Sequence, residues 1–467
     1  MATKLTKTEL LRKYSNPGPR YTSYPTVPYW DKTGITFEPW KETLIRSIKE
    51  SNQKKGISLY VHMPFCDTKC YFCGCNSVVS KDHEVEKPYI DAVLAEWNMY
   101  CDMLPERLRI KEIHVGGGTP TFFSPESLTR LIDGIFSRAE KFDDTEFSFE
   151  GNPRNTTKEH LQLFYSLGFR RVSFGIQDFD DSVQKVINRI QTYEKVVETV
   201  QDARDMGYKS VNFDLVYGLP LQSVETITGT IEKVKAIRPD RLAFYAYGHN
   251  PHMYPEQARF NAKDLPEGEN KYTLYEIGKM LLEESDYTEI GMDHFALKTD
   301  SLAVAARNKT LHRNFMGYTT TDTQVMIGLG ASSISDSWYA FLQNDKDPEK
   351  YIASIKEGKL PIIRGHVLNQ EDLILRRHIL NTMCQFETSW ADPKMQCDEM
   401  DSVVRRLKPL EADGLVALGD QKVTVQEVGI PFVRNICMAF DAHLWRSESL
   451  SKAYNVSRQA QMIASQD

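Results

Sequence analysis

Cys66, Cys70 and Cys73 stand in the spacing C-x3-C-x2-C, with a fourth thiol at Cys75. Three thiolates on so short a loop can ligate an iron–sulfur cube, which normally takes four cysteines. One iron is then left open to bind and activate something else. Zinc is the competing guest, but its structural sites typically draw a second ligand pair from further along the chain, and no such pair follows here. Asp67, Phe72 and Gly74 keep the run short and tight, and Cys75 is the odd thiol.

Further residues carry possible chemistry. In Gly116-Gly117-Gly118-Thr119-Pro120, each glycine removes a side chain and lets backbone amides approach a small polar ligand. Glu150 closes the apolar run FSFE, and carboxylates are rarely buried without a partner; a strand-end residue facing solvent is the plain alternative. Gln177 and Asp214 follow the same logic. Arg189 can hold a carboxylate through its bidentate fork, although an exposed helix arginine would mean nothing. Gly291-Met-Asp-His-Phe295 and His312-Arg-Asn-Phe-Met-Gly-Tyr318 each set a histidine among aromatics, as sites that grip large planar ligands do. A lone histidine is more often a core or surface residue.

The elements that must position these residues alternate. Strand-like runs occur at 57–63, 110–115, 146–150, 170–176, 210–217 and 241–247. Helical periodicity fills Tyr89 to Met103, Glu126 to Ala139, Lys158 to Leu167, Glu194 to Met206 and Val224 to Ile237, with Ser124-Pro125 as a helix start. Such alternation predicts an α/β fold with a parallel sheet and helices outside. Six units fall short of a closed eight-fold barrel, so the reading is a partial (β/α)6 barrel. Chemistry in these folds gathers at the C-terminal strand ends. The cysteine loop, the glycine run, Glu150 with Asn152, Gln177-Asp178, Asp214 before Tyr217-Gly218-Leu219-Pro220, and Tyr247-Gly248-His249 all fall there.

Three segments are expected: an N-terminal extension over 1–50 contributing to the active site, a catalytic partial barrel over 51–345, and a mostly helical, winged-helix-like domain over 346–467. In the extension, Pro17-Gly-Pro-Arg-Tyr-Thr-Ser-Tyr-Pro25 excludes regular structure, and its aromatics and Arg20 predict that it lies against the body. Past residue 345 the rhythm stops. Helices are expected at 369–386, 403–412 and 431–445, with Val416-Ala-Leu and Val423-Thr-Val flanking a turn.

The chain has 467 residues, 41% hydrophobic and 26% charged, a soluble globular composition. No apolar run approaches the ~20 residues of a membrane span, and MATKLTKTELLRKYSN lacks the apolar core of a secretory signal. A cytoplasmic protein without a membrane partner is expected. Eight cysteines, four of them in one loop, do not resemble a disulfide framework, which fits a reducing compartment. The net charge of −7 with no basic block argues against nucleic acid as a partner.

With these motifs in hand, the chain resembles the radical S-adenosylmethionine enzymes, and more narrowly the oxygen-independent coproporphyrinogen III oxidase family over nearly its full length. PRYTSYPT (19–26), YVHMPFCDTKCYFCGCN (60–76), GGGTPT (116–121), GIQDF (175–179), NFDLVYGLP (212–220), GMDHFA (291–296), HRNFMGYTT (312–320) and RNICMAFD (434–441) carry the likeness. The resemblance implies that Cys66, Cys70 and Cys73 ligate a 4Fe–4S cluster whose open iron chelates S-adenosylmethionine. It implies that Tyr60, Phe72, Gly117, Gly118, Thr119, Glu150, Gln177, Arg189, Asp214, Gly248 and Ile334 bind one of two S-adenosylmethionine molecules, and that Cys75, Tyr60 and Glu150 serve catalysis. A 5′-deoxyadenosyl radical would take hydrogen from substrate propionates, and two decarboxylations of coproporphyrinogen III would give protoporphyrinogen IX. A tetrapyrrole substrate, a low-potential donor such as flavodoxin or ferredoxin, and a monomer are implied. Arg20 and Arg313 are candidates for the substrate carboxylates on charge and location. Another tetrapyrrole role, heme delivery or anaerobic heme breakdown, is the alternative. The chain departs from the family at Glu150-Gly-Asn-Pro, where an aspartate is usual, at Gly248, where alanine is usual, and at Thr321-Asp-Thr-Gln-Val325, which bears on substrate fit.

Overall fold

A computed structural model describes residues 5–14, 18–32 and 37–447. Helices α1 (Lys7–Tyr14) and α2 (Phe37–Lys55) precede the sheet. Six parallel strands then pair in chain order: β1 (Ile57–Met63), β2 (Leu108–Gly117), β3 (Ala139–Gly151), β4 (Arg171–Gln177), β5 (Ser210–Tyr217) and β6 (Arg241–Ala246). Between them run α3 (Glu86–Met103), α4 (Pro125–Arg138), α5 (Lys158–Ser166), α6 (Tyr193–Asp205) and α7 (Val224–Ile237). Local chemistry fixes these helix starts. Ser124 accepts the Ser127 N–H ahead of Pro125, and Thr157 and Ser223 each close a reciprocal cap with the residue three further on.

The sheet is larger than the alternation alone suggests. Beside β6 it gains an antiparallel pair, β7 (Tyr287–Gly291) and β8 (His294–Leu297). Beside β1 lies a seventh parallel strand, β9 (Met326–Leu329), followed antiparallel by β10 (Ile334–Asp336), β11 (Ala340–Asn344) and β12 (Ile362–Val367). The order is linear, with β12 and β7 at its edges, so the described residues form an open sheet. Elements cross both boundaries of the expected 51–345 unit. Helix α2 runs through residue 50 and sends Trp40, Leu44 and Ile48 into the sheet's core, and β12 lies past residue 345. Sequence IIRGHV gave no strand signal because its polarity does not alternate over a long enough run.

Along the central strands the two faces differ in kind. Leu59, Val61, Ile113, Val115, Phe147, Phe149, Val172, Phe174, Phe213 and Phe244 are buried under the helices. The residues between them, Glu112, His114, Ser148, Glu150, Ser173, Asn212, Asp214 and Arg241, line a polar interior. Side chains alternate with period two along a strand, so the apolar positions that anchor the helices dictate where the polar ones point.

After the sheet come α8 (Gln370–Gln385), β13 (Glu387–Ser389), α9 (Met400–Ala412), β14 (Val416–Gly419), β15 (Lys422–Val425), α10 (Val433–Met438) and α11 (Ala442–Arg446). The three strands pair as β13-β15-β14. The helix expected over 431–445 is two short helices broken at Ala439–Asp441, where the Asp441 side chain caps α11 through the Leu444 N–H. Its core includes Leu10, Tyr14, Tyr21 and Tyr24 from the N-terminal segment, with Ile290 and Tyr318. Tyr21 Oη donates to Asp441 at 3.0 Å, Tyr24 Oη accepts the Ala442 N–H at 3.1 Å, and Trp30 stacks on Phe341. Residues 18–32 therefore lie against the body as expected; Pro17 falls outside the described residues. Among these, no helix is long and apolar enough to cross a membrane.

Candidate active site

The cysteine loop leaves the C-terminal end of β1 and is pinned at several points. Phe65–Cys66 bridges Val78–Val79. Asn188 Nδ2 donates to the Lys69 carbonyl at 2.8 Å, Tyr71 N–H to the Ile187 carbonyl at 2.9 Å, and Lys69 Nζ to Ser77 Oγ at 2.7 Å. So held, Cys66, Cys70, Cys73 and Cys75 all line one cavity of about 570 Å³, and each is a free thiol. Among the described residues only His366, Asp372 and His443 bring three metal-type ligand atoms within 4.8 Å of one another. The loop's thiols are spread more widely, which suits a multi-iron cube rather than a single tetrahedral zinc. The donor set fits a 4Fe–4S cluster held by Cys66, Cys70 and Cys73. The Cys75 side chain and its N–H (3.4 Å) both donate to the Cys73 sulfur and draw that thiol below its usual range, while Cys75 is pushed up.

The glycine run is built differently from its sequence reading. A Cβ on Gly116 would lie 2.9 Å from the Glu150 carboxyl carbon, on Gly117 2.7 Å from the His62 ring, and on Gly118 2.6 Å from the Pro64 carbonyl oxygen. Two of the amides are already engaged: Gly117 N–H donates to Glu150 Oε2 at 3.1 Å and Gly118 N–H to the Met63 carbonyl at 2.8 Å. The glycines thus admit protein groups first, bringing β2 against the root of the cysteine loop and against Glu150. Gly117, Gly118 and Thr119 still face the cavity. Thr119 Oγ1 sits 3.2 Å from Cys66 Sγ.

Glu150 receives His114 Nε2 at 3.2 Å as well as the Gly117 N–H. Burial acts to raise its carboxyl, but the His114 hydrogen bond, the charge of His114 and the Gly117 N–H outweigh it and hold Glu150 below the ordinary carboxylate range. Burial, then the Glu150 charge, push Asp214 up to about 7, against hydrogen bonds from Asn212 (3.0 Å) and Ser173 (3.2 Å). One ionised and one readily protonated carboxyl thus share the wall. Arg189 Nη1 lies 3.4 Å from Cys70 Sγ, and Gln177, at φ 68°, closes β4 with its Oε1 buried and unpaired.

The cavity gathers Arg20, Phe72, Glu150, Gln177, Arg189, Asp214 and Gly248 around the cysteines. Tyr60 stands beneath it on β1, stacked on His114, with its hydroxyl 3.0 Å from His62 Nδ1. Ile334 lies apart on β10, packed with Trp30, Phe341 and Leu368. Arg313 is buried behind Arg20: its Nη2 donates to the Arg20 carbonyl at 3.4 Å, its guanidinium covers Tyr318, and its Nε and Nη1 have no hydrogen-bond partner. Residues 321–325 do not line the cavity. Thr321 and Thr323 hold Glu112 and Ser58 at the opposite end of the strands. Sequence reading missed His62, His114, Arg154 and Tyr245. Period two from Tyr60 finds His62, and the same alternation on β2 and β6, out of step with the buried Ile113, Val115 and Phe244, finds His114 and Tyr245.

A family model described as the Radical SAM superfamily matches residues 60–234. The chain is 38% identical over 445 residues to the oxygen-independent coproporphyrinogen III oxidase of Pseudomonas aeruginosa, covering 93% of this chain and 95% of that protein. To the Escherichia coli oxidase of the same description it is 36% identical over 440 residues, with 93% and 95% covered. The solved structure of coproporphyrinogen III oxidase (HemN) from Escherichia coli, a Radical SAM enzyme, aligns with a TM-score of 0.86 and 34% identity, covering 91% of this chain and 98% of that one. The chain belongs to the oxygen-independent coproporphyrinogen III oxidase family of the Radical SAM superfamily.

Proposed function

We propose that the chain carries out the anaerobic oxidative decarboxylation of two propionate side chains of coproporphyrinogen III to vinyl groups, giving protoporphyrinogen IX. The observation that carries this reading is the convergence of three cluster-competent thiols, Glu150, Asp214 and Arg189 on one cavity at the strand ends. When bound, a 4Fe–4S cluster and S-adenosylmethionine supply a 5′-deoxyadenosyl radical able to abstract hydrogen from a propionate chain.

The protein's own part is placement and exclusion. Cys66, Cys70 and Cys73 hold the cluster. Thr119, Gln177, Asp214, Glu150, Gly248 and Arg189 surround the space for S-adenosylmethionine, where an ionised Glu150 suits an ammonium group and Arg189 a carboxylate. The family's second S-adenosylmethionine and Ile334 belong to the same reading, as does Tyr60, whose ring braces His114 under Glu150. Cys75, which lines the cavity outside the three-thiol spacing, is placed to donate a proton or hydrogen to the substrate.

Substrate carboxylates need cations. Arg20 lines the cavity, and Arg313 behind it carries two buried N–H groups without partners. Buried guanidinium nitrogens left without an acceptor are costly, and an incoming propionate would supply it. A low-potential protein donor such as flavodoxin or ferredoxin, and a monomeric state, complete the proposal. Anaerobic incubation of the reconstituted chain with reductant, S-adenosylmethionine and coproporphyrinogen III tests it: protoporphyrinogen formation is expected. Stoichiometric heme binding without turnover would support the heme-handling alternative instead.

A further inference from the structure

Just past β3, Asn152 is buried, and its side-chain oxygen accepts both the backbone N–H of Arg154 (3.2 Å) and its Nε (3.3 Å). Arg154 Nη2 donates to Thr68 Oγ1 in the cysteine loop at 3.1 Å. The guanidinium so held feels the charges of Arg189, Cys70, Asp67 and Cys66, and it lines the cysteine cavity. The Asp67 carboxylate is taken by Asn155 Nδ2 at 2.7 Å. Among the described residues Arg154 therefore rests on neutral oxygens only, Asn152 and Thr68, beside two of the thiols assigned to the cluster. An arginine stays charged in proteins.

We propose that Arg154 raises the reduction potential of the cluster, and that the neutrality of Asn152 is what leaves this charge without a hydrogen-bonded anion. The inference rests on the cluster reading above. Reduction adds negative charge to the cluster, so a fixed cation lining the same cavity as its thiolates stabilises the reduced form. Net charge and hydrogen bonds at the sulfurs are among the levers that set cluster potentials, and their effect grows where water is partly excluded. Arg189 donates to Cys70 Sγ directly, but its guanidinium is also bound to the Gly175 carbonyl through Nε at 3.1 Å. Among the described residues the Arg154 side chain is held by the Asn152 amide oxygen and the Thr68 hydroxyl alone, and a charge change at 152 therefore reaches it directly. Asn152→Asp is nearly isosteric and keeps the acceptor that Arg154 uses, while adding the missing anion. It isolates charge from shape.

The test is an anaerobic redox titration of reconstituted wild type, Asn152→Asp, Arg154→Gln, Arg154→Lys and the Asn152→Asp/Arg154→Gln double variant. It is run without S-adenosylmethionine, following the EPR signal of the reduced cluster, with iron and sulfide analysis of each sample. At a fixed ambient potential, Asn152→Asp and Arg154→Gln are each expected to lower the reduced-to-oxidised ratio about tenfold, about 59 mV for one electron. Arg154→Lys stays near wild type, and the double variant, which both removes the cation and adds an anion, falls lower than either single one. Fully loaded single variants with unchanged potentials would overturn the proposal. If Arg154→Gln fails to load, Asn152→Asp against Arg154→Lys still decides. A wild-type chain that takes up no cluster would overturn the underlying cluster reading and this inference together, which loaded variants with unmoved potentials would not do.

Discussion

Gly116 and Glu150 face each other across β2 and β3 so closely that a Cβ on the glycine would stand 2.9 Å from the Glu150 carboxyl carbon. No side chain at 116 leaves room for the Glu150 position, and that position is what receives His114 and the Gly117 N–H. Next along, Gly118 abuts the backbone of Pro64, the root of the cysteine loop. Neighbouring glycines in one run therefore serve different halves of the site.

Their alanine variants should separate those halves. Gly116→Ala displaces the carboxylate, so the loaded protein is expected to keep its iron but bind S-adenosylmethionine about tenfold or more weakly. Gly118→Ala meets backbone rather than a movable side chain and should lower iron uptake itself, with an overpacking cost of about 1–3 kcal/mol in stability. Iron analysis and equilibrium binding of S-adenosylmethionine check the pair; equal iron loss in both variants would contradict the division.

Cys66→Ala, Cys70→Ala and Cys73→Ala are each expected to abolish the brown absorbance of the reconstituted cluster. Cys75→Ala should keep that absorbance and lose turnover. If Cys75→Ala bleached the protein, the ligand assignment would be wrong.

Arg313→Lys keeps a positive charge but loses the fork whose Nε and Nη1 are buried without partners. A KM for coproporphyrinogen III raised about tenfold or more is expected, in line with weakening a buried charge pair, with iron content unchanged. An unaltered KM would remove Arg313 from substrate binding.

Away from the site, burial raises Glu96 to about 7, despite hydrogen bonds from Tyr351 (2.6 Å), the Gly330 N–H (2.8 Å) and Asn344 (2.6 Å). Its folded-state value lies above the unfolded one, so the folded chain binds the extra proton and the stability gained is full below about pH 4.5 and lost as pH rises through about 7. Glu96→Gln is expected to flatten that part of the stability profile, by a few kcal/mol at most. Denaturant unfolding at pH 5 and pH 8 measures it; an unchanged slope would assign the titration elsewhere.

The parts of the molecule that could be read in the sequence share one property: each announces itself locally. ISLYVHM and SVNFDLVY fall on β1 and β5 with the same ends, and Val224 to Ile237 on its helix, because packing of strand against helix demands an apolar residue at every second strand position and along one helix face. Strand β9, MIGL, is four residues long with a glycine whose Cβ position is filled by the Ile334 backbone. No period can emerge from so short a run, and the strand exists through its pairing with β1. The cysteine loop and the rim residues that share its cavity were legible for the same local reason. Arg154 was not, because what matters about it is the neutral asparagine two residues before it and a thiol loop some eighty residues away. The Gly-Gly-Gly run stands at the strand end where its sequence places it, but the groups whose close approach it admits, His62 and Glu150 on neighbouring strands and Pro64 just past β1, are distant in sequence.

Product identification by mass spectrometry under strict anaerobiosis bears most directly on the whole account. Reconstituted protein supplied with reductant, an electron acceptor, S-adenosylmethionine and coproporphyrinogen III should yield a tetrapyrrole that has lost two carboxyl groups and gained two vinyl groups, together with methionine and 5′-deoxyadenosine. Unchanged coproporphyrinogen III in a sample whose cluster is fully loaded and whose S-adenosylmethionine has been cleaved would contradict it.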